Sequence, residues 1–441
     1  MPCKLLIVEP QENFTKRPII MKKMLFLAFI AICLTACSGE RPRQESELPI
    51  IDVIGSMGNF QRIYMSEFFS SIELIPLETS ADFLLDMGTG GYLHAPRVLI
   101  NDNVIVMRGD NRRRLFAFDR FTGKFRNQIA RQGQGPGELI ALGSFFFNAD
   151  RTTIFVNDIF GRKILEYDFN GGYIRSVPRP EEVSALYYAR NNLFIGSPHY
   201  TGDNKYKHLL VDANGDIIQR FSNHIFFNRQ GRWASSGSHP SMPVRMDNRL
   251  YFACSPLNDT VFVFENSNLR PAYVFDFGRS LPLAYLTTPP PNNIHYPNFR
   301  IAPGSFVATP HFFFYNVHVP RTRPGKRQRV RSFGGGQYSR RIFGIYDISR
   351  NRNILLDTDQ HLQQGIINDI NGGLSFIPQF YAGNGEVVGV WNPEDMLEVL
   401  TEEYFATQTI KDPEAHQRLR AILRNLEFDD NPVIVVARLK E

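Results

Sequence analysis

The chain has 441 residues, with 37 Phe, 17 Tyr, only four Cys and a formal charge of +5 at neutral pH. That is enough apolar side chain for a large core and too few cysteines for a disulfide-stapled scaffold. Five Lys/Arg and two Asp/Glu fall in the first 36 residues, so the remainder is close to neutral and composition gives no case for nucleic-acid binding.

Met21-Lys22-Lys23 is a positive segment, and Met24 to Cys33 is an apolar run too short to span a bilayer stably. With Leu34-Thr35-Ala36-Cys37 behind it, the stretch resembles a bacterial lipoprotein signal with its lipobox. The resemblance implies cleavage before Cys37, a diacylglycerol thioether on its sulfur and an acyl chain on the new amine. Two or three acyl chains anchor stably where one is marginal. Residues 1–36 are then a leader, with 1–20 preceding the true start at Met21. Ser38 after Cys37 resembles the pattern sent to the outer membrane, and residues 37–60 read as lipidated N-terminus and tether. Cys3 and Cys33 leave with the leader, Cys37 is lipidated, and Cys254 remains alone, a thiol that reads as buried in the strand Leu250–Cys254. No intramolecular disulfide is then possible.

From residue 61 onwards the pattern is short β-rich runs broken by Asp, Asn and Gly every 8–12 residues or so, the signature of an all-β meander. Gln61 to Thr79 holds a lone amphipathic strand, SSIELIPLET. Five four-strand units follow at about 95–130, 144–177, 184–222, 244–278 and 305–358. In each, an acidic residue opens the last turn, at Asp119, Asp168, Asp212, Glu265 and Asp347, spaced by 49, 44, 53 and 82 residues. The first three spacings suit propeller blades of roughly 40–50 residues. The last is stretched by a Pro-rich run at Thr288–Pro291 and a basic loop at Arg321–Arg341. A sixth unit is incomplete: LSFIPQFYAG and EVVGVWN supply two strands, then Asn392-Pro393 and Asp412-Pro413 read as helix starts with Pro in the first turn. Leu419, Ile422, Leu423 and Leu426 form one face of the second helix. A final strand, Pro432–Ala437, is left over. The expected fold is therefore all-β, a six-bladed β-propeller over residues 61–441 with a short helical insertion in its last blade. The terminal strands 71–78 and 432–439 meet in that blade to close the ring, because open sheet edges invite aggregation. The alternative, a sandwich with an appended helical domain, leaves both terminal strands orphaned.

Ile72–Glu78, Gly133-Gln-Gly-Pro-Gly-Glu138, the Asp/Gly blade turns and Asn431–Val435 together resemble the six-bladed propeller lipoproteins abundant in Bacteroides and its relatives, related in shape to NHL-repeat propellers. The resemblance covers about residues 60–440. It implies fold and envelope location; that family has no common activity to carry over.

Gly133–Glu138 lacks the Lys and the following helix of a phosphate loop and reads as a rigid turn between blades. Arg321, Arg323, Lys326, Arg327, Arg329 and Arg331, with Arg340 and Arg341 beyond, form a candidate anion-binding loop for lipid headgroups, lipopolysaccharide or an acidic polymer, against a solvated loop with no partner. The ten His make no HExxH or zinc spacing; His311 and His318 flank a Phe-rich strand, where one is a candidate to face a central channel, against the reading of a satisfied or exposed His. Asp102, Asp158 and Asp369 are weak calcium candidates without a DxDxDG run, and no GxSxG or Ser/His/Asp order is present. No catalytic residue, cofactor or metal is assigned. The sequence thus points to a binding or scaffold module for a peptide, glycan or protein, anchored to the membrane through Cys37. The rival is a propeller lyase or hydrolase with His and acidic residues converging at a channel mouth; a third class is a structural envelope subunit. Arg and aromatic side chains at that mouth would favour binding.

Overall fold

The computed structural model describes residues 48–85, 98–109, 113–198, 204–223, 243–253, 259–278, 302–320, 339–356 and 365–440. Three strands precede the first blade: β1 (Ile50–Asp52), β2 (Phe60–Gln61) and β3 (Phe69–Pro76). Blade one is β4 (Val98–Ile100), β5 (Val104–Arg108), β6 (Arg114–Asp119) and β7 (Phe125–Arg131). Blade two is β8 (Leu142–Phe147), β9 (Ile154–Asp158), β10 (Lys163–Tyr167) and β11 (Tyr173–Pro178). Blade three runs β12 (Val183–Arg190), β13 (Leu193–Pro198), β14 (Tyr206–Val211) and β15 (Ile217–Ser222). Blade four runs β16 (Val244–Met246), β17 (Arg249–Phe252), β18 (Thr260–Glu265) and β19 (Asn268–Asp276). Blade five is β20 (Ala302–Ala308), β21 (Phe312–Pro320), β22 (Ser339–Asp347) and β23 (Arg352–Leu356). Blade six contains β24 (Phe380–Gly383), β25 (Glu386–Trp391) and β26 (Val433–Leu439).

Strand alternation builds the ring. On β5 and β6, Val104, Val106, Leu115 and Ala117 face blade two, whereas Ile105, Met107, Phe116 and Phe118 face blade six. Successive side chains of a strand point to opposite faces, so a strand buried on both sides reads as an unbroken apolar run. The core is accordingly a set of layers between blades. Separate apolar clusters fill the gaps between blades one and two, six and one, two and three, and three and four, and a larger one joins blades four, five and six.

The acidic turn residues work as the sequence predicts, with one exception. Asp119, Asp168, Asp212 and Asp347 each accept from backbone N–H groups of their own turn. Glu265 instead pairs with Arg249 and Arg270, and its turn is made by Asn266 and Ser267 in the left-handed region.

Ring closure follows the expected route: β26 lies between β25 and β3, with Ile434 opposite Ile75 and Val436 opposite Glu73. Asn431 locks the seam. Its Oδ1 accepts from Leu85 N at 2.8 Å, while its Nδ2 donates to Glu78 O at 2.7 Å and Phe83 O at 3.3 Å. Glu78 then ties the seam to blade one, its carboxylate accepting from Phe125 N at 2.8 Å. Between β25 and β26 come α3 (Pro393–Val399), α4 (Glu402–Ala406) and α5 (Pro413–Leu423), the last capped by Asp412 Oδ1 on Ala415 N at 2.9 Å. Leu419 of α5 is fully buried, and Ile422, Leu423 and Leu426 pack beside it.

One feature of the N-terminal segment is not visible in the sequence pattern. β1 pairs in parallel with β19 at the rim of blade four, and β2 with β23 at the rim of blade five, before β3 enters blade six. From Leu48 the segment is therefore built into the sheets, and it covers the free outer edges of two blades. α1 (Val53–Ser56) and α2 (Met65–Phe68) link these strands, and Asp369 of the blade-six region holds Ser66 by N and Oγ and pairs with Lys411 at 2.9 Å.

Candidate functional site

The first strands β4, β8, β12, β16, β20 and β24 lie innermost, and the turns that follow them share one face of the ring. The channel is narrow between blades four and six: β16 and β24, two blades apart, approach within 8 Å between Cα atoms. Two arginines meet at this mouth. Arg151 sits in the turn after β8 with φ 56°, a left-handed conformation more usual for Gly or Asn, and its carbonyl accepts from Asn101 Nδ2 of blade one at 2.9 Å. Its guanidinium lies against Gly383 of blade six, where a Cβ would stand 2.9 Å from Nη1. Gly383 has φ +88° and leaves that space open.

Arg245 rises from β16 of blade four and donates from Nη2 to the carbonyls of Tyr188 at 2.5 Å and Ala189 at 2.9 Å on β12 of blade three. Burial lowers the pKa of both arginines, that of Arg245 to about 10, and the positive charge of Arg151 adds to the depression at Arg245. Asp102, Asp247 and Tyr381 act on Arg151, and Tyr188 and Asp150 on Arg245, so blades one, two, three, four and six all contribute. The three aspartates are exposed rim residues, and Tyr381 is buried. Among the described residues neither guanidinium enters an ion pair, and neither has a donor that is both buried and unpaired. The donors left over open on solvent.

Other arginines have structural employment. Arg108 Nη2 bonds Gly143 O, Arg179 reaches the carbonyls of Ile159, Val183 and Ser184, and Arg120 bridges Glu73 and Glu386 across the closing blade. Each satisfies an edge carbonyl or a carboxylate between blades, and the guanidiniums of Arg108 and Arg120 also lie over the rings of Phe145 and Phe121.

The residues singled out from sequence are not brought together. Asp158 is buried and accepts from Ile140 N, Ala141 N and Gly161 N; Asp369 is the Ser66–Lys411 latch; Asp102 alone reaches the mouth. Burial pushes the Asp369 carboxyl up, but the bonds from Ser66 and Lys411 outweigh it and hold its pKa below the usual value. No group of three or more His, Cys, Asp and Glu able to hold a metal occurs among the described residues. Gly133–Glu138 is a closed turn: Glu138 accepts from Gly135 N at 2.8 Å and from Arg131 at 2.7 Å, and these bonds lower its pKa. His208 is buried between blades three and four, with Nδ1 3.0 Å from Ser197 Oγ and its ring 4.3 Å from that of Phe252, and burial drives its pKa down to about 3. His311 is exposed. Cys37, Cys254 and Arg321–Arg331 lie outside the described residues, as do the side chains of His318, Arg340 and Arg341.

Sequence reasoning missed Arg151 and Arg245. The available signal was an Arg in the middle of a hairpin turn, Asp150-Arg151-Thr152, where Gly or Asn is usual.

Fold and mouth together define a closed six-bladed β-propeller with two arginines at one channel mouth. Residues 48–438 match the family described as Domain of unknown function (DUF4934), and the chain belongs to it. A crystal structure of a protein described as exported, from Bacteroides fragilis, is similar at a TM-score of 0.59 and 17% identity, covering 89% of this chain and all of that one. A member of the duf4221 family from Bacteroides vulgatus is matched at a TM-score of 0.46 and 11% identity, over 84% of this chain and 97% of that one. No curated protein matches the chain. At 17% identity the Bacteroides fragilis structure speaks to fold alone.

Proposed function

We propose that the protein is a lipid-anchored binding module of the cell envelope, taking a peptide, glycan or protein ligand at the channel mouth. The observation that carries this reading is the meeting of Arg151 and Arg245 at one channel mouth with solvent-facing donors and, among the described residues, no ion pair to either. A general acid–base pair needs groups within hydrogen-bond reach of one reacting atom. The mouth offers charge and hydrogen-bond donors instead, the equipment of recognition. The resemblance of 21–37 to a lipoprotein signal supports attachment through Cys37 to the outer membrane, and the blade-turn pattern supports kinship with NHL-like propellers. Among the described residues no helix is long and apolar enough to cross a membrane, which leaves β-barrel insertion unaddressed.

The basic run Arg321, Arg323, Lys326, Arg327, Arg329 and Arg331 falls in sequence between β21 and β22, whose described ends Pro320 and Ser339 pair with each other. It serves in this proposal as a second, anion-directed contact of the same module.

The test has two parts. Fractionation of cells carrying wild type and Cys37→Ser should move the protein from the outer membrane to the soluble fraction; identical fractionation defeats the anchor. An array of envelope glycans and peptides probed with the full chain should retain one ligand class unchanged. Turnover of a retained ligand would replace the binding module by the lyase or hydrolase reading.

A further inference from the structure

We infer that Arg151 and Arg245 form a seat for a single oxyanion, the carboxylate or phosphate group at one end of the ligand. This deepens the binding-module reading and rests on it. Arg245 is oriented by its two bonds to β12 carbonyls, which use Nη2 and leave Nε and Nη1 available. Arg151 is oriented by the Gly383 backbone and by the Asn101 bond to its own carbonyl. Arg151's guanidinium lies on Gly383 of β24 and Arg245 springs from β16, and these two strands approach within 8 Å between Cα atoms, which brings both guanidiniums to the same part of the channel. Asp102, Asp150 and Asp247 offset this charge only at a distance, with no ion pair to either arginine among the described residues, and an oxyanion between the two would accept from both forks directly. Exposed Asp102, Asp150 and Asp247 stand around the pair without pairing to it. They repel a polyanionic chain and admit a ligand that presents one anionic end.

The experiment is isothermal titration of detergent-solubilised full-length protein with inorganic phosphate and with D-glucuronate, at constant ionic strength, for wild type, Arg151→Gln and Arg151→Lys. Thermal melting followed by circular dichroism confirms that each variant is folded, and Arg151→Lys keeps the charge should Arg151→Gln prove unstable. The expected result is one saturable site for at least one probe, weakened tenfold or more in Arg151→Gln and several-fold in Arg151→Lys, because an ammonium cannot reproduce the planar fork. Binding of phosphate alone assigns a phosphate group, and binding of glucuronate alone a carboxylate; either supports the seat. Absence of saturable binding to both probes overturns it, and so does unchanged affinity in both variants. If the seat fails while the array ligand is still retained, the oxyanion inference falls and the binding module stands; if nothing is retained either, both fall.

Discussion

Replacing Asn431 by Ala should open the seam of the ring. Asn431 is 1% exposed and its side chain makes three bonds, accepting from Leu85 N and donating to the carbonyls of Glu78 and Phe83. All three partners belong to the segment after β3, so the loss falls where the first and last strands of the propeller meet. Each buried polar group left unpaired costs about 1–3 kcal/mol. Glu78 is exposed and its carbonyl regains water, so the total comes to about 3–5 kcal/mol, a large share of a typical folding free energy of about 5–15 kcal/mol. At about 2 °C per kcal/mol for a chain of this size, the melting midpoint should drop by roughly 6–10 °C. Thr79→Val is the control: it removes only the exposed hydroxyl that accepts from Asn431 N, and should cost under about 1 kcal/mol. Melting and urea titration followed by circular dichroism read both variants. An Asn431→Ala midpoint within 1–2 °C of wild type would refute the assignment of Asn431 as the lock.

Two further outcomes follow from the same structure. His208 is neutral in the fold, with its pKa pushed from 6.5 to about 3 by burial, so the unfolded chain takes up a proton that the folded chain refuses. Stability is then lost as pH falls below about 6.5 and levels off near 3, at up to roughly 1.4 kcal/mol per pH unit. A His208→Gln variant should show a shallower acid limb in urea midpoint against pH, and an unchanged limb contradicts the burial of a neutral imidazole. Gly123 has φ +68°, and a Cβ there would lie 2.0 Å from Pro76 O on β3. Gly123→Ala should therefore lower stability by more than the ~1–2 kcal/mol of a left-handed backbone alone; an unaltered melting curve would mean that the blade-one turn does not dock on the closing strand.

The blades were legible because they rest on local physics. The unbroken apolar runs Val104–Met107 and Leu115–Phe118 mark strands buried on both faces, and an Asp followed within five residues by Gly marks a hairpin that caps its own N–H groups. Closure was legible by elimination, since Ile72–Pro76 and Val433–Leu439 had no partners nearby in sequence. The strap was not. Ile50–Asp52 and Phe60–Gln61 are three- and two-residue strands whose partners, Val274–Asp276 and Leu355–Leu356, lie more than 200 residues away, and so short a pairing leaves no periodicity. α4 was missed for a similar reason: five residues give barely more than one turn of helix. The mouth was illegible because Arg151 and Arg245 come from different blades, in a chain with 49 Lys and Arg. What distinguishes them is that ring closure brings them from different blades to one mouth with donors open on solvent, a property of the tertiary structure alone. The basic loop, conspicuous in sequence, stands on charge count.

The most direct test of the account is a crystal soaked in selenate, an oxyanion whose selenium can be located by anomalous scattering. The account predicts a peak between the guanidiniums of Arg151 and Arg245, at the mouth of the channel, absent from Arg151→Gln crystals. A map with no peak at the mouth, or with selenate only on exposed surface cations, would contradict it.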